Sequence, residues 1–236
     1  MKREIEHFYI GASYGGNQDW FPTFMMRIGG CGAVTACDSS IYFAMHRGID
    51  GIAPEEPGSM TKEDYVDFAY RMRPYLSPRM SGIDRLDIYI DGYAQYLKDC
   101  GDTRISMTPL SGDVPWEQAR EAVRRQIDEG YPIPTLILNH RNPRFKEYVW
   151  HWFLINGYDD RTEAGPGTDN DSSGEFLVRA VTYSSYEWLD LKGIWNTGCI
   201  RRGGLILYSD VSLYSDGSLD NEGSLDNKGS LDNEGR

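Results

Sequence analysis

The sequence predicts a single α+β domain, a helix-rich first half followed by a strand-rich, mostly antiparallel second half. Three observations lead there. Capped, amphipathic stretches dominate up to about residue 130; β-rich runs bounded by turn residues dominate from about residue 133; and 236 residues with 40% hydrophobic content suffice for one sizeable core.

In chain order, Gly29, Gly30 and Gly32 around Cys31 allow a sharp turn into a helix that runs from Cys31 to near Gly48. A Pro- and Gly-containing loop spans 51–58, and Thr61-Lys62-Glu63-Asp64 resembles a capping box that starts a helix through about Met72. Another helix is expected over 83–98 and a short strand over 103–107. Pro115 sits in the first turn of a helix that ends near Gly130, with Val123 and Ile127 at i, i+4 facing the core. Strands follow at about 133–139, 148–156, 175–183 and 204–208. The domain is set at 1–209 and a separate acidic tail at 210–236.

Two residues carry chemistry. At a helix N-terminus, unpaired N–H groups favour thiolate over thiol, so Cys31 there can become a nucleophile, and the same groups can hold an oxyanion. Taken alone, Cys31 also fits a buried small residue at a tight helix start. His151 lies near the start of Val149-Trp150-His151-Trp152-Phe153-Leu154-Ile155, a strand that the sequence closes with the turn signal of Asn156-Gly157. A lone histidine on an apolar strand is often a core residue, but a candidate nucleophile upstream makes this one a candidate base. His140, in a turn with Arg141-Asn142-Pro143, is the second choice.

Gly-Cys-Gly opening a helix, Ile127-Asp128-Glu129-Gly130-Tyr131-Pro132-Ile133-Pro134 leading to a strand, and His151 followed by Gly157-Tyr158-Asp159 together resemble the C39-like branch of the papain-like cysteine peptidase superfamily. The likeness spans about Asn17 to Tyr208. It implies a papain-like fold with the nucleophile helix packed on a mostly antiparallel sheet, Cys31 as nucleophile and His151 as its base. It also implies an oxyanion-hole glutamine before the cysteine and an Asp or Asn orienting the histidine. The family's glutamine position, about six residues before the cysteine, holds Met25, and the nearest glutamine is Gln18, which the loop 21–28 would have to fold back over Cys31. No Asp or Asn ends the strand 175–183, so Thr182 or Ser184 falls at the orienter position, with Asp190 and Asn196 further downstream. A hydroxyl accepts an imidazole hydrogen bond without the charge that stabilises an imidazolium.

The net charge is −12, and the segment from Asp210 onward, with seven acids and two bases, leaves about −7 on the body. No Lys/Arg-rich patch of the kind phosphate contacts require is present, so nucleic acid is not an expected partner; an acidic surface favours basic peptides or amines, and mainly solubility. No apolar run of seven or more follows the charged start and none reaches the length of a membrane span, so the expected setting is the cytoplasm without a membrane partner. Cys31, Cys37, Cys100 and Cys199 show no zinc-ligand spacing, so neither a metal, another cofactor nor a disulfide framework is expected. Asp169-Asn170-Asp171, in the polar loop 161–174, lacks the remaining EF-hand positions. The tail repeats Gly-Ser-Leu-Asp-Asn-Glu/Lys three times from Gly217 to Glu234, with too few apolar residues to offset chain entropy, and is expected to be disordered.

The expected activity is hydrolysis of a peptide or amide bond through an acyl-thioester. The same residues would serve an acyl or amide transferase. An inactive binding protein of the same fold would use its aromatic residues, including Trp20, Phe21, Trp150 and Trp152, for recognition.

Overall fold

The computed structural model describes residues 1–79, 82–161 and 175–211; most of the loop 161–174 and the hexapeptide tail lie outside them. A short strand β1 (Lys2–Glu4) and a two-residue-per-arm hairpin, β2 (Tyr9–Ile10) with β3 (Ser13–Tyr14), open the chain. Helices α1 (Phe24–Gly29), α2 (Cys31–Arg47), α3 (Lys62–Met72) and α4 (Leu86–Asp99) follow. Then come β4 (Ile105–Ser111), α5 (Trp116–Asp128), β5 (Ile133–Ile137), β6 (His151–Asp160), β7 (Phe176–Thr182), β8 (Ser185–Asp190), α6 (Leu191–Trp195) and β9 (Gly203–Asp210). The sheet runs β4-β9-β5-β6-β7-β8, with β1 added to β6, and every pairing is antiparallel. An α+β domain with an antiparallel sheet is thus the observed architecture.

Caps set the helix boundaries. Thr61 and Asp64 form the reciprocal capping box of α3, and Gly48, at φ 62°, ends α2 in the left-handed conformation that glycine adopts without steric cost. Gly30 is at once the last cap of α1 and the first of α2; its N–H donates to Met26 O, and a Cβ there would lie 2.3 Å from that oxygen. The two helices therefore meet at an angle that only glycine allows. Helix α4 begins at Leu86, three residues later than expected, because Arg85 is extended.

Helices cover both faces of the sheet. Ring contacts of Tyr208 with Phe43 and Tyr93 place α2 and α4 on the face that carries Leu136 and Trp152. Helix α5 lies along the opposite face, beside Leu110 and Leu207. Gly32 brings α2 close to β6: a Cβ there would meet Ile83 Cδ1 at 2.9 Å and Trp152 Cδ1 at 3.6 Å. Trp152 is 2% exposed, stacks on Tyr89 and donates its indole N–H to Ile83 O at 2.6 Å.

Two expectations are corrected by tertiary contacts. The turn signal Asn156-Gly157 does not end the histidine strand, which continues to Asp160 through a register shift between Ile155 and Tyr158. Asn156 is fully buried there because its amide donates to Tyr14 Oη and accepts from Arg179 Nε at 2.7 Å, while Glu4 of β1 pairs opposite Gly157. The run 175–183 also conceals a hairpin: Thr182 pairs with Ser185 across Tyr183 and Ser184, at φ 49° and 61°. Such left-handed two-residue turns usually carry Asn or Gly, so neither residue announced it.

Ser184 holds an unfavourable φ, and its hydroxyl is buried without a partner. Ser184→Gly is expected to stabilise the protein by about 1 kcal/mol, read from the midpoint of urea unfolding, because glycine relieves both costs. An unchanged or lowered midpoint would contradict this account of the hairpin.

Candidate active site

Strand alternation explains how His151 arrives. With Trp152 anchored under α2, His151, Phe153 and Ile155 face the other side, where Ile155 sits opposite Ala180 and so shares its face with Thr182. His151 Nε2 lies 2.6 Å from Thr182 Oγ1. With Nε2–H donating to that oxygen, Nδ1, which has no hydrogen-bond partner among the described residues, carries the lone pair. Burial leaves the ring 5% exposed and lowers its pKa to about 4, so it is neutral at pH 7.

Cys31 stands in the first turn of α2, 8% exposed. Two neighbours tie it to the histidine. The main chain of Trp152, next to His151, acts on the sulfur, and the Tyr183 hydroxyl, next to Thr182, is pushed up to about 12 by burial first and then by Cys31. The Tyr183 ring lies flat on His151, centroids 4.9 Å apart and planes 4° from parallel. Tyr183 is thus the link between Cys31 and the His151–Thr182 pair, and no hydrogen bond joins Cys31 to His151.

The expected lowering of the thiol pKa is not found. Burial raises it, and the opposing pull of the main chain at Trp152, Gly32 and Cys31 itself is smaller. Thiol and imidazole therefore both rest neutral at pH 7.

Gln18, in a 3-10 turn (Gln18–Trp20), is 8% exposed and gives its amide N–H to Arg27 O at 2.8 Å, satisfying a carbonyl at the end of α1. Its Oε1 is buried without a partner, and it makes no hydrogen bond to Cys31 among the described residues. The downstream orienters are engaged elsewhere: Asp190 caps α6 through Lys192 N and Gly193 N, and Asn196 ends that helix. His140 is likewise occupied, with Nε2 at 3.0 Å from Gly193 O and Nδ1 accepting from Asn142 N. Of the four aromatics expected on the surface only Trp150 is, at 44% exposure; Phe21 and Trp152 are core, and Trp20 is partly buried against Tyr65.

Two features of the candidate site were not legible in sequence. Tyr183 stacks on the base only because the tight hairpin turns it back, and Trp150 is held outward at φ 56° immediately before His151. No group of three or more His, Cys, Asp or Glu among the described residues could hold a metal, and none of the described helices is long and apolar enough to cross a membrane.

A base whose native pKa is depressed binds its proton more readily when unfolded, so stability from His151 is present above its ordinary 6.5 and lost as pH falls toward about 4. In wild type this amounts to about 3 kcal/mol, so the unfolding free energy of His151→Gln should fall less steeply between pH 6.5 and 4 by that amount. Parallel pH profiles for the two proteins would show that the ring is not held neutral by burial.

No family model matches the chain and no curated protein matches it in sequence, so the functional reading rests on this geometry.

Proposed function

We propose that the protein is a cysteine hydrolase of papain-like, C39-like type acting on a peptide or amide. The observation that carries the reading is the cluster itself: a base fixed by Thr182 on one nitrogen and open on the other, beside a thiol at a helix N-terminus. The Cys31 sulfur bonds to the substrate carbonyl carbon as its proton passes to His151 Nδ1, giving a tetrahedral oxyanion. First-turn N–H groups of α2, which lack intrahelical acceptors, supply charge complementarity to that oxygen. Collapse breaks the C–N bond, and the imidazolium returns its proton to the leaving amine. Water, deprotonated by the same nitrogen, then hydrolyses the thioester and regenerates the thiol. Thr182 keeps the ring in the correct tautomer and orientation but adds no negative charge, so proton transfer to an uncompensated imidazole is the costly step.

The neutral resting pair also favours a second reading, a binding protein that keeps the fold without turnover. A transferase would differ from the hydrolase only in an amine replacing water.

One experiment separates these. After incubation with p-nitrophenyl butyrate, intact-protein mass spectrometry should find one butyryl group on Cys31 and none in Cys31→Ala. His151→Ala should slow p-nitrophenol release about 100-fold or more, the usual scale for a general base, and Thr182→Val about 10-fold. Absence of the Cys31 adduct, or a rate indifferent to His151, leaves the binding protein; butyryl transfer to added amine in preference to water identifies the transferase.

A further inference from the structure

Two pockets of about 280 Å³ each flank the cluster, and their walls differ in chemistry. One has Cys31 in its wall, together with Ile28, Ile83, Leu136, Trp150 and Trp152, and Arg79 as its charged member. The other is lined by Thr182 and Tyr183, with Tyr148, Tyr186, Glu147 and Glu187. Among the described residues only Trp150, Tyr183 and Ser184 take a left-handed backbone without being glycine. Two of these three present large, partly exposed rings, Trp150 at 44% in the first pocket and Tyr183 at 40% in the second. At Tyr183 the left-handed backbone belongs to the tight hairpin, and at Trp150 it immediately precedes His151; both rings thereby stand at the mouths of the two cavities.

From this arrangement we infer that the substrate is an amide whose acyl part is apolar and whose amine part carries a positive charge, an inference that rests on the hydrolase reading above. Direction follows from proton bookkeeping: the nitrogen that receives the proton from His151 must leave on the histidine side, where Tyr183 stacks on the ring, and the acyl group stays bonded to Cys31 on the other. On the histidine side, the carboxylates of Glu147 and Glu187 attract a cation, while Arg179 already lies over Tyr186 and Tyr183 stacks on His151. Glu187 is held in place by Tyr148, a buried residue whose hydroxyl donates to it at 2.5 Å; Glu147 also forms an exposed pair with Lys146 at 3.5 Å. On the cysteine side, indole and aliphatic surface suits an apolar acyl chain. The net charge of −12 draws cations toward the protein in the same sense.

The test uses three probes: N-phenylacetylcadaverine, its uncharged N-pentyl analogue, and N-acetylcadaverine, which keeps the cation and lacks the apolar acyl group. Affinity is measured by calorimetry with the full chain carrying Cys31→Ala, so that binding is read without turnover, and kcat/KM with the unsubstituted protein. The charged phenylacetyl probe should bind about 10-fold tighter than the neutral one. Adding Glu147→Gln and Glu187→Gln, surface changes whose folding is checked by circular dichroism, should remove that preference. Trp150→Ala should weaken the phenylacetyl probe toward the acetyl one. Equal affinity for charged and neutral probes, or a preference that survives the glutamine pair, overturns the assignment. Turnover with no charge preference overturns it while leaving a hydrolase, whereas the binding preference without turnover keeps the two-pocket recognition and overturns hydrolysis.

Discussion

The burial of Trp152 between α2 and the sheet is the constraint on which the candidate site depends. Its indole is sealed by Tyr89, bonded to Ile83 O, and lies in van der Waals reach of α2 at Gly32. Because side chains alternate along a strand, fixing Trp152 on one face fixes His151 on the other and brings the main chain of Trp152 to the Cys31 sulfur. A one-residue slip of β6 would exchange the two and dissolve the candidate site, so packing of a large aromatic residue, rather than any polar contact, sets its register.

The same burial that gives precision sets the electrostatics. Desolvation raises the thiol and lowers the imidazole, so both members are kept uncharged, and the helix N-terminus is too weak a source of positive potential to reverse it. Elsewhere on α2, Asp38 shows the same tension: burial pushes it up to about 7, although it accepts from Tyr65 Oη at 2.6 Å and from Gly16 N. Those bonds tie α2 to α3 and to the loop that precedes Gln18, which is how the amino-terminal segment is held against α2. The adjacent Arg179 does comparable work on β1, donating from a 7% exposed position to Glu4, Ile5 O and Asn156. The amino-terminal strand is therefore held in the sheet both by its pairing with β6 and by a buried guanidinium.

Much of the framework was legible because it obeys local rules. The extent of α2, the capping box of α3, the start of β5, and the strands β4, β7 and β9 to within a few residues follow from caps, glycines and β-rich runs. What escaped was stabilised from a distance: β1 has no core pattern and exists by pairing with β6, and β8 was hidden because its hairpin uses Tyr and Ser where the backbone calls for Asn or Gly. Asn156-Gly157 reads as a turn in one dimension and is a bulge in three, since Arg179 and Tyr14 satisfy the buried amide that a turn would have given to water.

By itself the sequence determined where a thiol and an imidazole fall, because a thiol at a glycine-bounded helix start and an imidazole on an apolar strand are local properties of residue type and spacing. It also pointed to Thr182 or Ser184 by position, at the end of the following strand. Tertiary structure decided that Thr182, and not Asp190 or Asn196, holds the imidazole, because strand pairing brings it onto the histidine's face while the other two serve α6. It decided as well that Gln18 is given to the end of α1, that Tyr183 covers the base, and that thiol and imidazole rest neutral. Each of these depends on which atoms are excluded from water and which strands lie side by side, and a linear order of residues carries neither.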